Sequence, residues 1–180
     1  MHPQLEAIVT ELENGSVRLH RLVEVVPAER WTARPAPDRW SVAECVAHLN
    51  LTTNAMRPGI EQALEQGRRL GRSQHAGSYS LGLLGGLLWW ALSKPGRFRV
   101  KTTPAFVPGP IQSAATLAEE FDRLQDEQIG WVRASDGLPL GVLRVARPFT
   151  TRVRYNLYAA LSILARHQQR HLWQAEGAAR

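Results

Sequence analysis

The sequence predicts an all-α fold: a four-helix bundle with long crossing loops and a short extra apolar helix. Four long segments carry apolar residues at helical spacing, proline-rich stretches separate them, and no segment shows convincing strand alternation. With 180 residues and 44% apolar content, the chain can bury a core of its own. We therefore expect residues 1–180 to form one bundle domain.

The first helix is predicted from Leu5 to Val26, where aliphatic residues recur every three or four positions. Pro27 ends it, and the prolines that follow exclude regular structure as far as Arg39. Trp31 and Trp40 flank this loop, and we expect both indoles to anchor it by burying apolar area.

A capping box, Ser41-Val42-Ala43-Glu44, predicts that the second helix begins at Ser41. Its apolar stripe includes Cys45, which we interpret as a small core residue, and it ends near Gly67. Pro58 lies inside the pattern and should kink or interrupt the helix. His48 lies two turns into this helix, beside the apolar stripe.

Residues 80–92 are the most apolar run in the chain, yet thirteen residues are too few to span a bilayer as a helix. The pattern favours a buried short helix or a lid over the bundle. Because Lys94, Arg97 and Arg99 follow this run, an interfacial segment that contacts a membrane or a partner is the alternative. A homodimer through this run also stays open.

The third helix is predicted from Ser113 or from Thr116, which begins a second candidate capping box, to Asp136-Gly137. A loop to Thr151 and a last helix from about Tyr155 to Glu176 follow. One face of the last helix carries Leu157, Leu161, Leu164, Gln168, His171 and Ala175.

Two histidines of the last helix, His167 and His171, stand four residues apart and should project from one face. Such a pair can chelate a metal ion, and His48 on a facing helix is the candidate third ligand. The same spacing also fits two histidines that are hydrogen-bonded on a bundle face. The other histidines suit a site less well, since His20 lies near the polar side of its helix, His75 in a polar loop and His2 at the terminus.

The net charge of +6 comes from scattered arginines and does not by itself select a partner. Nucleic-acid binding is not favoured, because the sequence contains neither a recognition-helix pattern nor an aromatic and basic strand pair. The lone Cys45 excludes an internal disulfide, and the first residues show no basic segment leading into an apolar one. We therefore expect a cytoplasmic protein without stable membrane insertion.

Two segments, residues 39–49 and 166–174, resemble the signatures of the DinB/YfiT-like superfamily. The first segment is similar to "W-S-x-x-E-x-x-x-H-L", with the matching residues Trp40, Ser41, Glu44, His48 and Leu49. The second is similar to "H-x-x-R-H-x-x-Q" over residues 167–174. The resemblance extends over nearly the whole chain, including the crossing at residues 101–104. It implies a four-helix bundle in which three histidines from the second and fourth helices bind a divalent metal ion. By motif match these are His48, His167 and His171.

The resemblance implies a metal-dependent enzyme with a small-molecule substrate, since the superfamily includes enzymes that use bacillithiol, mycothiol or glutathione. Three imidazoles with an open metal position would lower the pKa of bound water to about 7 or stabilise a thiolate, which predicts a hydrolase or a thiol S-transferase. Zinc, nickel and iron are not distinguished. The alternatives are a non-catalytic metal- or ligand-binding stress protein and an interaction protein that uses residues 80–99.

Several other side chains are candidates for roles around this site. Glu44, one turn before His48, is either a general base or only a helix cap. Gln168 and Gln174 are candidates for orienting an imidazole. Four arginines lie in or near the last helix, and they are Arg152, Arg154, Arg166 and Arg170. They would attract an anionic thiol cofactor or an acidic substrate, or they would only form a solvated surface.

Overall fold

The structure is a computed structural model that describes residues 1–71, 77–94, 102–110, 112–147 and 150–180, without the side chains of residues 147 and 150–153. Four long helices form the bundle, and they are α1 (Pro3–Val25), α3 (Val42–Leu70), α5 (Ala114–Ala134) and α6 (Leu157–Ala178). The helices α3 and α6 are neighbours, as are α3 and α5, α1 and α5, and α1 and α6. The predicted all-α bundle is confirmed, with α1 diagonal to α3 and α5 diagonal to α6.

Side-chain caps fix where the long helices begin. The capping box at the start of α3 is present: Glu44 N donates to Ser41 Oγ, and Ser41 N donates to Glu44 Oε2 at 2.9 Å. Of the two candidate starts for α5, Ser113 is the cap, because its hydroxyl accepts from Thr116 N at 3.1 Å. At α6, Asn156 Oδ1 accepts from Ala159 N at 2.7 Å.

Helix α3 runs through Pro58 without interruption, so of the kink or interruption expected at this proline, the interruption does not occur. The prolines before α3 also do not exclude all regular structure, since one short helix, α2 (Ala28–Trp31), follows Pro27 directly. Proline fits the start of a helix because the first amides need no intrahelical partner. Trp31 is buried as predicted, while Trp40 is only partly covered.

A small antiparallel hairpin occupies part of the region predicted as a loop up to residue 151. Strand β1 (Arg144–Arg147) pairs with β2 (Thr150–Asn156), and Val145 lies opposite Tyr155. Both of these side chains are buried, so the hairpin closes the bundle beside the start of α6. The last helix consequently begins at Leu157 rather than near Tyr155.

The apolar run forms helix α4 (Gly82–Leu92), which packs on α6 and on β2. Of the two predicted forms, a buried short helix or a lid over the bundle, the buried helix is wrong, because Gly85 is the one α4 residue that is buried. Helix α4 is instead a cover on the outside of α6, with an exposed apolar face. In the part of the chain that the structure describes, no helix has both the length and the apolar character needed to cross a membrane.

Candidate metal centre

The three predicted histidines meet between α3 and α6. His48 projects from the second turn of α3, and His167 and His171 project from successive turns of α6. One ring nitrogen from each residue lies within 4.8 Å of the other two. No other histidine described by the structure joins this group, and the three could hold a metal ion.

The carbonyl group of Phe106 determines which nitrogen of His48 faces the cluster. His48 Nδ1 donates to Phe106 O at 2.8 Å, and since a carbonyl oxygen only accepts, this nitrogen carries the proton. In the neutral ring Nε2 then has a free lone pair, and it lies 3.2 Å from His167 Nε2. A backbone carbonyl bonded to the far nitrogen is the usual way in which a metal-binding histidine is oriented.

The distances and donors in the cluster fit a divalent ion. Two nitrogens bound tetrahedrally at zinc-like distances of about 2.0–2.1 Å stand about 3.3–3.4 Å apart. The observed separation of 3.2 Å between the two Nε2 atoms is close to that value. His171 Nδ1 is buried and has no hydrogen-bond partner among the described residues, which is costly unless a ligand uses its lone pair.

Burial keeps the imidazoles uncharged. It lowers the pKa of His167 to about 3, although part of that residue's surface stays accessible, and the nearby His48 and Arg170 contribute to the fall. Burial also lowers the pKa of His171 well below its usual value, and the Gln174 side chain opposes this shift. Burial lowers the pKa of His48 as well, and its hydrogen bond to the Phe106 carbonyl opposes this shift. Neutral imidazole is the form that binds metal ions.

Two aromatic rings form the wall of the site. The Trp40 ring lies 4.9 Å from the His48 ring and stacks on the His171 ring at 5.8 Å, measured between centroids. The Phe106 ring meets the His48 ring edge-on at 6.4 Å. Trp40 therefore does more than anchor its loop, because it covers two of the three imidazoles. Apolar walls lower the local dielectric and limit solvent access.

The contacts of Glu44 are those of a helix cap and an ion pair. It serves the capping box, and Arg34 Nε donates to its two carboxylate oxygens at 3.0 and 2.9 Å. Burial raises the pKa of Glu44, but the Arg34 guanidinium and the Ser41 amide outweigh it and leave the pKa below its usual value. These contacts favour the cap over the general base among the two roles considered for this residue.

The remaining candidates have varied surroundings. Gln168 is buried against Gly15 of α1, and its amide atoms have no partner among the described residues, so it does not orient an imidazole. His20 is exposed and bonds Asp122 at 3.0 Å, as its place near the polar side of α1 suggested. His2 caps α1. His75, Arg97 and Arg99 and the Arg152 side chain lie outside the described residues.

Arg170 lies between the two histidines of α6 in the sequence. It is only 9% exposed, and its guanidinium donates to the Lys94 carbonyl at 3.2 Å. Its positive charge contributes to the low pKa of both His167 and His171.

Sequence reasoning missed the contributions of Phe106 and Arg34. Phe106 acts through a backbone carbonyl in a short 3-10 turn (Pro104–Phe106), for which no side-chain pattern exists. Arg34 lies in the proline-rich loop before α3. Only its position ten residues before Glu44 in the sequence could have suggested the ion pair between them.

Comparison with protein families identifies the group to which this bundle belongs. The model of the DinB superfamily matches residues 11–175, a range that reaches from the middle of α1 into the last turn of α6 and contains the three histidines. The chain is therefore a member of the DinB superfamily. Searches of curated proteins and of solved structures returned no match.

Proposed function

We propose that this protein is a divalent-metal-dependent enzyme and that His48, His167 and His171 are its metal ligands. The observation that carries the proposal is the meeting of three neutral imidazoles, with two Nε2 atoms 3.2 Å apart. When bound, a divalent ion would lower the pKa of a coordinated water or thiol, so that hydroxide or thiolate becomes available at neutral pH.

The chain's own residues would prepare the site for this chemistry. The Phe106 carbonyl retains the Nδ1 proton of His48 and keeps its Nε2 lone pair directed at the centre. Burial holds the imidazoles unprotonated, so that protons compete little for the ligand nitrogens at neutral pH. The ring of Trp40 excludes water from one side of His48 and His171.

Among the reactions of such centres, we favour thiol S-transfer from a low-molecular-weight thiol of the bacillithiol, mycothiol or glutathione kind. Arg170 places positive charge beside the histidines, and Glu44, the nearest acid on α3, is already paired with Arg34. These charges favour a cofactor that is anionic through its thiolate. The thiolate sulfur would donate an electron pair to an electrophilic carbon, and the leaving group would depart with the bonding pair.

Metal analysis of the purified protein tests the ligand assignment. We expect about one divalent ion per chain in the wild type and a large loss in His48→Ala and His171→Ala. His20→Ala is the matched control, because that histidine is exposed and bonds Asp122 instead. Circular dichroism should show that each variant keeps its helices. Unchanged metal content in both site variants would overturn the proposal.

An activity panel separates the reactions. Metal-loaded protein should consume a thiol and an electrophile in equal amounts, and the His48→Ala variant should not. Hydrolysis of esters or amides without thiol consumption would identify a hydrolase instead. Bound metal without turnover on either set would favour the non-catalytic stress protein.

The proposal also includes a single domain over residues 1–180, a small-molecule substrate and a cytoplasmic location.

A further inference from the structure

Helix α4 exposes an apolar face that the bundle does not use. Its members are Leu83, Leu84, Leu87 and Trp90, which are 90%, 55%, 64% and 45% exposed. Leu83, Leu87 and Trp90 follow one another at helical spacing and share one side of the helix. The other side packs on α6. A contiguous exposed apolar patch marks an interaction site. We call these four residues the α4 face.

The sequence around the α4 face contains no acidic residue. The stretch between Glu65 and Glu119 has seven basic residues and no Asp or Glu, and the stretch between Asp136 and Glu176 has six and none. These two stretches include α4 and the two elements that pack against it, β2 and most of α6. All 16 acidic residues of the chain lie outside them. Among the described residues, three cations lie at α4 or at its C-terminal end, and they are Lys94, Arg166 and Arg170.

One cation lies directly at the end of the α4 face. Lys94 Nζ stands over the Trp90 ring at 4.6 Å from the centroid. On the packed side, the Arg166 guanidinium stacks on Trp89 at 4.6 Å and also pairs with Glu11. Apolar residues beside a lysine and a tryptophan form the composition that suits a membrane interface, where the indole and the ammonium group lie at the level of the lipid headgroups.

We propose that the α4 face docks on the surface of a bilayer that contains anionic phospholipids. Leu83 and Leu87 would enter the boundary between headgroups and acyl chains, and Lys94 would contact lipid phosphates. At 11 residues, α4 is about 16 Å long, which is too short to span the roughly 30 Å hydrocarbon core but suits a helix lying in the interfacial plane. This docking is independent of the metal site and of the reaction proposed for it.

The charges argue against other occupants of the α4 face. A second copy of the chain would place the face against itself in a two-fold dimer, because such an interface uses the same patch on both subunits. Positive charge would then oppose positive charge, with no acidic residue in the surrounding sequence to compensate. Nucleic acid would match the charge but offers no apolar surface for Leu83, Leu84 and Leu87. Anionic lipid matches both the charge and the leucines.

Vesicle binding tests the proposal directly. We would compare vesicles of phosphatidylcholine alone with vesicles that also contain phosphatidylglycerol, by flotation at low and high salt. We expect the wild type to float mainly with the anionic vesicles and to be released by salt. Leu83→Ser with Leu87→Ser should weaken partitioning by about tenfold or more, since each leucine contributes apolar burial. Lys94→Gln should reduce the preference for anionic vesicles.

The matched control is Val17→Ser with Leu70→Ser, which removes two side chains of similar exposure, 69% and 66%, from α1 and α3. This variant should float as the wild type does, and both double variants should melt like the wild type because the changed side chains are largely exposed. The proposal is overturned if the wild type does not bind anionic vesicles at low salt. It is also overturned if the control weakens binding as much, or if sedimentation shows a dimer that Leu83→Ser with Leu87→Ser abolishes.

Discussion

Gly85 sets how closely α4 approaches α6, and two adjacent glycines allow this contact to be measured. A Cβ at Gly85 would lie 2.7 Å from Ala159 Cβ, whereas a Cβ at Gly86 would have Leu81 Cβ as its neighbour at 4.0 Å. Apolar carbons pack at about 3.5–4.0 Å. Because Ala159 is fully buried and its methyl group cannot rotate away, Gly85→Ala must separate the two helices by about 1 Å.

The expected energies follow from two opposing effects. Replacing a helical glycine with alanine stabilises a helix by about 0.5–1 kcal/mol, and this applies to both positions. At Gly86 this gain is the whole effect. At Gly85 the overpacking costs about 1–3 kcal/mol. Gly85→Ala should therefore be about 1–3 kcal/mol less stable than Gly86→Ala, and each kcal/mol corresponds to about 2–4 °C in Tm for a domain of this size.

Thermal unfolding of both variants, followed by circular dichroism, measures this difference. Hydrogen exchange of the α4 amides is the second readout, because a peripheral helix can open without global unfolding. We expect faster α4 exchange in Gly85→Ala and unchanged metal content in both variants. Equal melting temperatures together with equal α4 exchange would refute the close approach of α4 to α6.

Two further predictions concern the start of α3. The pKa of Glu44 is lowered in the fold, so its pairing with Arg34 stabilises the protein above the ordinary carboxyl pKa and is lost as the pH falls through the lowered value. Glu44→Gln should cost about 1–2 kcal/mol at neutral pH, an amount limited by the exposure of Arg34. Urea melts of the two proteins should show this difference in stability closing as the pH falls below the ordinary carboxyl pKa, and a difference that widens in acid would contradict this sign. Cys45 is 1% exposed, and its burial raises the pKa of the thiol to about 12. Iodoacetamide should therefore label Cys45 at pH 8 only after urea unfolds the chain. Rapid labelling of the native protein would be incompatible with this burial.

Local signals were enough to place the helices and to bring the histidines together. The capping box fixes the start of α3 and hence the position of His48, and the buried stripe of α6 places His171 inside the bundle. That these residues bind a metal stays a prediction. The hairpin was missed although the residues from Arg152 to Tyr155 alternate between arginine and an apolar side chain, since both strands are short and contain arginines. Short alternating runs of this kind compete poorly with long helical patterns.

Contacts between distant segments could not be predicted. The bond from His48 to the Phe106 carbonyl joins residues 58 positions apart and involves a backbone atom of one of them. The stacking of Trp40 on His171 depends on how the loop before α3 lies across α6, which neither segment encodes alone. Tertiary packing decides such contacts, and they are the ones that orient the imidazoles.

The capping box links the start of α3 to the charge of the metal centre. Glu44 precedes His48 by one turn, so an unpaired carboxylate there would point along the same side of the helix as the imidazole. Ser41 and Arg34 instead bind both of its oxygens at the helix terminus. The charged side chain beside the three neutral histidines is then Arg170, which contributes to the low pKa of His167 and His171 and so helps to keep their ring nitrogens free of protons. The contacts that begin the helix thus keep the Glu44 carboxylate out of the group that His48 forms with His167 and His171.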